Sequence, residues 1–281
     1  MTDGAVAETI PEAPPAGDGQ PILAIDGLLK HFGGIAAVNG AAFDVERNSV
    51  TALIGPNGAG KTTLFNVITG FYRAERGSVL FQDQQIVRRP PHVVARLGMV
   101  RTFQITKALA KMPVIDNMML AAPAQPGERL YNLVLRPAAT RAREREVRER
   151  AEELLEVFQL GKLADEYAGV LSGGQRKLLE FARALMTEPT MLLLDEPMAG
   201  INPTLGGRLL EHMQRLRSER GMTFLFIEHD MEVVMGQSDK VIVMAEGRVI
   251  AQGAPDEVRR DQRVIDAYLG GGAAIGSEPP R

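Results

Sequence analysis

Apolar residues in this chain come as short unbroken blocks, and between the blocks they recur at helical spacing. Blocks of four or five apolar residues set between amphipathic stretches predict an α/β chain with a buried, largely parallel sheet. Val50–Ile54 is one such block. It runs into a glycine-rich loop, after which Leu64, Phe65, Val67 and Ile68 give the next segment an apolar face. Residues 191–194, Thr223–Ile227 and residues 241–244 predict three more buried strands, each preceded by a helical pattern. Residues 22–28 and 78–82 predict strands of a smaller antiparallel element, with turn residues around Arg76-Gly77.

The pattern changes between about residues 107 and 171. Val147, Ala151, Leu154, Leu155 and Phe158 repeat at helical spacing, beside the charged series Arg141-Ala142-Arg143-Glu144-Arg145-Glu146. Acids interleave with the arginines, so the series predicts a solvated helix face, with Glu144–Arg148 and Glu146–Arg150 as i,i+4 pairs. The stretch is expected to be a helical insertion between two halves of the α/β core. Residues 1–20 are rich in Ala, Pro, Gly and acids without periodicity and predict a disordered leader; residues 270–281 predict a flexible tail. Residues 21–269 are left as one domain.

Composition narrows the class further. A net charge of −3 offers no electrostatic footprint for nucleic acid. The absence of Cys excludes disulfides and thiolate metal sites. No apolar run approaches the roughly 20 residues that cross a bilayer, and no basic-then-apolar signal opens the chain. Any work at a membrane is expected from the water side.

The chemistry lies at the ends of the apolar blocks. Gly55-Pro56-Asn57-Gly58-Ala59-Gly60-Lys61-Thr62-Thr63, placed between a strand and a helix, is a phosphate-cradling loop. Its glycines let backbone N–H groups approach phosphate oxygens, and the helix N-terminus adds partial positive charge. Lys61 is expected on the β- and γ-phosphates, with the Thr62 hydroxyl on Mg²⁺. The block at 191–194 ends in Asp195-Glu196. At the carboxyl end of a parallel strand, Asp195 would hold Mg²⁺, and Glu196, one residue beyond, would polarise the attacking water. The block ending at Ile227 is followed by Glu228-His229-Asp230, which predicts His229 on the same sheet edge, within reach of the γ-phosphate. A second glycine-rich motif, Leu171-Ser172-Gly173-Gly174-Gln175, opens a helix with an apolar face of Leu178, Leu179, Ala182, Leu185 and Met186. Ser172 suits an N-cap, but two glycines lower helix propensity, and bare backbone at a helix N-terminus is also an anion site.

Together these motifs resemble the nucleotide-binding subunit of ABC transporters, over nearly all of residues 22–269. The resemblance implies a P-loop NTPase core with an N-terminal antiparallel β subdomain and an inserted α-helical subdomain. It implies two ATPs sandwiched between two such domains, each held by the phosphate loop of one protomer and the Ser172–Gly173–Gly174–Gln175 segment of the other. It also implies that Gln104, in Arg101-Thr102-Phe103-Gln104, contacts Mg²⁺ or water and links the site to a membrane subunit, and that Phe32 stacks on adenine. Asn202 stands where the family commonly has Asp, so its contact across the dimer is expected to differ.

Several stretches are similar to the first ATPase subunit of branched-chain amino acid importers. They are Gly34-Ile35-Ala36-Ala37-Val38, Arg101-Thr102-Phe103-Gln104, the run from Asp195 to Pro203, Ile227-Glu228-His229-Asp230-Met231, and the ending Val264-Ile265-Asp266-Ala267-Tyr268-Leu269-Gly270. The expected partners are transmembrane permease subunits, a second ATPase subunit (self or homologous) and, indirectly, a solute-binding receptor, with the chain at the cytoplasmic face of the cell membrane. Two alternatives stand beside this. One is the ATPase of an exporter of lipid or lipopolysaccharide; the other is a soluble ABC ATPase acting on nucleic acid or ribosomes. Only residues 105–170 lie between Gln104 and the second motif, too few for the long coiled coils of DNA-acting relatives.

Overall fold

A computed structural model describes residues 20–102, 109–123 and 137–270 of the chain. Two sheets organise it. The larger contains β3 (Val50–Ile54), β6 (Met99–Arg101), β7 (Met191–Asp195), β8 (Thr223–Ile227), β9 (Lys240–Ala245) and β10 (Arg248–Gly253), in the order β10-β9-β3-β8-β7-β6. All neighbours from β9 to β6 pair parallel, and β10 closes the edge antiparallel to β9. Every residue of β3, β7 and β8 is buried. Burial on both faces is why these strands read as unbroken apolar blocks. Val50, Ala52, Ile54, Leu192, Leu194, Phe224 and Phe226 face one core, while Leu53, Met191, Leu193, Leu225 and Ile227 face the other.

The second core lies under the smaller sheet, formed by β1 (Leu23–Phe32), β2 (Ile35–Val45), β4 (Arg76–Phe81) and β5 (Gln84–Gln85) in the order β2-β1-β4-β5, all antiparallel. β1 and β4 stand where the sequence predicts two strands, but Arg76 and Gly77, expected in a turn, are the first two residues of β4. The sequence pattern does not predict β2, β5, β6 or β10. β2 mixes exposed and buried positions around Gly40, and β6 is three residues long, so neither forms an apolar block. The β9–β10 hairpin turns through Glu246 and Gly247, both at positive φ (48° and 76°), the geometry of a type I′ turn.

Nine α-helices occur among the described residues: α1 (Lys61–Ile68), α2 (Pro91–Arg96), α3 (Val114–Met119), α4 (Pro137–Val157), α5 (Gly173–Leu185), α6 (Pro203–Arg220), α7 (Met231–Gln237), α8 (Pro255–Arg260) and α9 (Gln262–Gly270). α3 and α4 fall in the 107–171 stretch, as the helical pattern predicts. Val147, Ala151, Leu154, Leu155 and Phe158 are buried in one core with Leu178, Leu179, Ala182, Leu185 and Met186 of the α5 region. The charge pairing on α4 differs from the expected one. Arg148 pairs with Glu152, Arg150 with Glu153 and Arg143 with Glu146, instead of Glu144–Arg148 and Glu146–Arg150. Arg148 and Arg150 have acids at helical spacing on both sides and Arg143 has one at i+3; Arg143 and Arg150 turn toward a cleft they share with Glu146, Glu153 and Met186. No helix among the described residues is long and apolar enough to cross a membrane. The leader and tail expectations for residues 1–19 and 271–281 lie outside the described residues.

Candidate functional site

The loop between β3 and α1 is held from both sides. Ala59 accepts a hydrogen bond from Gly247 N–H (3.0 Å), and Gly247 in turn accepts from Asn39 N–H of β2 (2.8 Å). The β9–β10 hairpin and the antiparallel sheet thus clamp the loop. Gly60, at φ 97°, is the N-cap of α1, and a Cβ there would lie 2.0 Å from the Ala37 carbonyl oxygen. Gly55 is as tight, since a Cβ would lie 2.0 Å from the Met244 carbonyl oxygen. These two glycines are demanded by close backbone approach, whereas Gly58 (φ 79°) is demanded by conformation alone. Pro56 accepts from Ala59 N–H (3.2 Å), which keeps the loop curled, and Asn57 and Thr62 are exposed while Thr63 is half-buried.

The Lys61 ammonium lies within this curl, donating to the carbonyls of Gly55 (2.7 Å) and Pro56 (2.9 Å). Burial lowers its pKa from the ordinary lysine value, and the carboxylates of Glu196 and Asp195 oppose the shift. That electrostatic coupling joins the loop to the end of β7. β8 lies between β3 and β7, so the three parallel strands deliver Lys61, His229 and Asp195 to one sheet edge, as the sequence predicts.

Asp195 ends β7, buried. Its Oδ2 accepts from the Arg101 guanidinium (2.7 Å), and the same guanidinium donates to Asn66 Oδ1 of α1 (2.7 Å). Among the described residues, Asp195 Oδ1 is buried with no hydrogen-bond partner. A lone carboxylate oxygen beside a phosphate loop and a threonine hydroxyl fits Mg²⁺, which takes one or two carboxylates and keeps water and phosphate as its other ligands. Glu196 follows with a left-handed backbone, φ 49°. Glu228, the residue after β8, is buried and accepts from Met198 N–H (2.8 Å) and His229 N–H (3.1 Å). The His229 ring is 72% exposed, on the open side of the edge.

The second glycine-rich motif is a helix N-terminus with a capping box. Ser172 Oγ accepts from Gln175 N–H (3.2 Å) and Gln175 Oε1 accepts from Ser172 N–H (2.9 Å). Its two glycines differ. A Cβ on Gly174 would meet Leu205 Cδ1 at 2.8 Å, so packing against α6 explains it, while nothing lies within 4 Å of a Cβ on Gly173. Ser172 and Gly173 are exposed. No hydrogen bond or ion pair among the described residues joins this motif to residues 55–63. Its contact with the site is made further along the helix, where the Lys177 ammonium donates to the Glu196 carbonyl (2.9 Å).

Phe32 is 45% exposed at the end of β1, with its ring edge-on to Tyr72 (5.2 Å) and under the Lys30 ammonium (5.2 Å), so it is not a core phenylalanine. Asn202 is the N-cap of α6, accepting from Leu205 N–H (2.9 Å). Gln104 lies outside the described residues. Sequence reasoning missed Arg101, Lys177, Glu228, Tyr72 and Tyr268. The phenol of Tyr268 lies near the Gly55 main chain; burial raises its pKa and the Gly55 backbone opposes the shift. The only signals for these were proximity to a motif, as with Arg101 three residues before Gln104, or membership of the Val264-to-Gly270 ending.

Known proteins share this arrangement. A family model described as ABC transporter matches residues 38–199, and one described as branched-chain amino acid ATP-binding cassette transporter matches residues 248–274. The chain is 43% identical over 249 residues to a probable branched-chain amino acid transport ATP-binding protein, LivG, of Archaeoglobus fulgidus, covering 89% of this chain and 95% of the relative. It is 42% identical to the high-affinity branched-chain amino acid transport ATP-binding protein BraF of Pseudomonas aeruginosa, covering 89% and 98%. Among solved structures, a nucleotide-free ATP-binding cassette from an ABC transporter aligns with TM-score 0.77 and 38% identity, over 92% of this chain and all of that one. An ATP-binding cassette of an ABC transporter in its ADP conformation aligns with TM-score 0.77 and 38% identity over 89% and 99%.

Proposed function

This chain belongs to the ABC transporter family as one of its ATP-binding ATPase subunits, and from that premise we propose that it drives import of branched-chain amino acids. The names of its relatives and the second family match support the substrate class. Its proposed partners are transmembrane permease subunits and a second ATPase subunit, with a solute-binding receptor acting through the permease. It would work at the cytoplasmic face of the membrane as a peripheral subunit.

The observation that carries the reading is the convergence of the clamped phosphate loop, Asp195, Glu196 and His229 on one edge of adjacent parallel strands. In the proposed mechanism the backbone N–H groups of residues 55–63 and the Lys61 ammonium hold the β- and γ-phosphates. Thr62, Asp195 and Gln104 would hold Mg²⁺, which when bound neutralises charge on those phosphates. Phe32 offers its exposed face to adenine. Glu196 takes a proton from water as its oxygen bonds the γ-phosphorus and the bond to ADP breaks in line. His229 contacts the γ-phosphate. Ser172, Gly173, Gly174 and Gln175 act on the nucleotide of the facing protomer, which fits the exposure of Ser172 and Gly173 and the lack, among the described residues, of bonds from the motif to the chain's own loop.

Replacing Glu196 with Gln tests the assignment. The variant is expected to bind ATP as the parent does and to hydrolyse it at least about 10²-fold more slowly, the scale of a lost general base. Hydrolysis at the parent's rate would remove Glu196 from that role.

A further inference from the structure

We propose that Lys177 is a positioning residue for ATP hydrolysis: it fixes the backbone of Glu196 and so aims the Glu196 carboxylate. The inference rests on the reading of Glu196 as the base. Glu196 is in the left-handed region at φ 49°, a conformation that a glutamate keeps only when its surroundings impose it. Three contacts impose it. Its N–H is bonded to the Ile227 carbonyl of β8 (3.0 Å), its carbonyl accepts from Ala199 N–H (3.1 Å), and the Lys177 ammonium donates to the same carbonyl (2.9 Å). Only the third comes from a side chain on another element. Across the turn, buried Glu228 holds Met198 N–H (2.8 Å) and attracts the Lys177 charge.

Lys177 is half-buried, and burial lowers its pKa from the ordinary lysine value while Glu228, Glu196, Glu180 and Asp195 oppose the shift. An ammonium withdrawn from water to cap one carbonyl is costly unless the geometry it secures matters. A charge-assisted bond is also about twice as strong as a neutral one, which suits it to hold a strained peptide. Lys177 lies five residues after Ser172 on one helix, about 7–8 Å along the axis at 1.5 Å per residue. The contact therefore ties the segment that faces the partner's nucleotide to the base that serves the chain's own.

Lys177→Met keeps the aliphatic stem and removes the donor, and the Glu196 carbonyl retains Ala199 N–H. Steady-state ATPase of the full-length chain should show kcat lowered about tenfold or more, KM for ATP within about twofold, and the melting temperature lowered by no more than about 10 °C, since a single hydrogen bond is lost. Lys177→Arg should restore kcat to within about threefold. On a Glu196→Gln background, Lys177→Met should cause no further loss. Parental kcat in Lys177→Met, a rise in KM without a fall in kcat, or a second tenfold loss on the Glu196→Gln background would each overturn the proposal. Parental turnover in Glu196→Gln alone would instead remove the reading beneath it.

Discussion

At the scale of single residues, the site combines strain with close packing. A non-glycine residue held in the left-handed region costs about 1–3 kcal/mol, and Glu196 carries that cost at the point where β7 gives way to the loop before α6. Gly60 illustrates the opposite device, a residue whose lack of a side chain is the function. Both its φ of 97° and the 2.0 Å approach to Ala37 oxygen exclude a Cβ. Gly60→Ala should therefore displace the loop from β2 and weaken ATP binding at least about tenfold, read by titration with a fluorescent nucleotide. Unchanged affinity would show that the clamp does not set the loop's shape. Lys61, Asp195 and Glu196 were legible in the sequence because each sits next to its own strand, so local order alone places it. Arg101 was not, since its partner Asp195 is 94 positions away and only the parallel pairing of β6 with β7 brings them together.

At the scale of elements, Arg101 is a cross-brace. From β6 it reaches Asp195 at the end of β7 and Asn66 on α1, with its guanidinium over the Phe65 ring (5.5 Å). The pair is 7% and 1% exposed. Removing one partner of such a pair leaves a buried charge uncompensated and costs about 3–5 kcal/mol. Arg101→Met is expected to lower the melting temperature by about 10 °C, at a few degrees per kcal/mol for a domain of this size. Adding Asp195→Asn should recover much of the loss, because the orphaned charge goes with it. Equal losses in the single and double variants would contradict this account. The elements themselves divided along burial. β3, β7 and β8 were readable because both faces are covered, whereas β2, exposed at every second position near its end, gives no block. On α4, Arg148 and Arg150 each have an acid within reach on either side, so spacing alone does not decide which one each takes.

At the scale of the whole molecule, no hydrogen bond or ion pair among the described residues joins the two glycine-rich motifs. The 55–63 loop is at the centre of the parallel sheet, while Ser172 and Gly173 are exposed at the N-terminus of α5. A shared site between two protomers accounts for both. Ser172→Arg, placed on a Glu196→Gln background with ATP, should abolish the ATP-dependent dimer seen by size-exclusion chromatography with the partner ATPase subunit. The protomer's melting temperature should fall by only the few degrees expected from a lost N-cap of about 1 kcal/mol. A persistent dimer would place Ser172 outside the interface.

The sequence by itself determined the α/β class, the phosphate loop, the acids at the end of β7 and the helix opened by Ser172. Each of these depends on residues close together in the chain, where spacing and local backbone preference are sufficient. Tertiary structure alone decided that Arg101 braces Asp195, that Tyr268 of the last helix comes near the Gly55 main chain, and that Lys177 grips the Glu196 carbonyl. Those contacts depend on strand order and helix packing, which bring together positions that no local pattern relates.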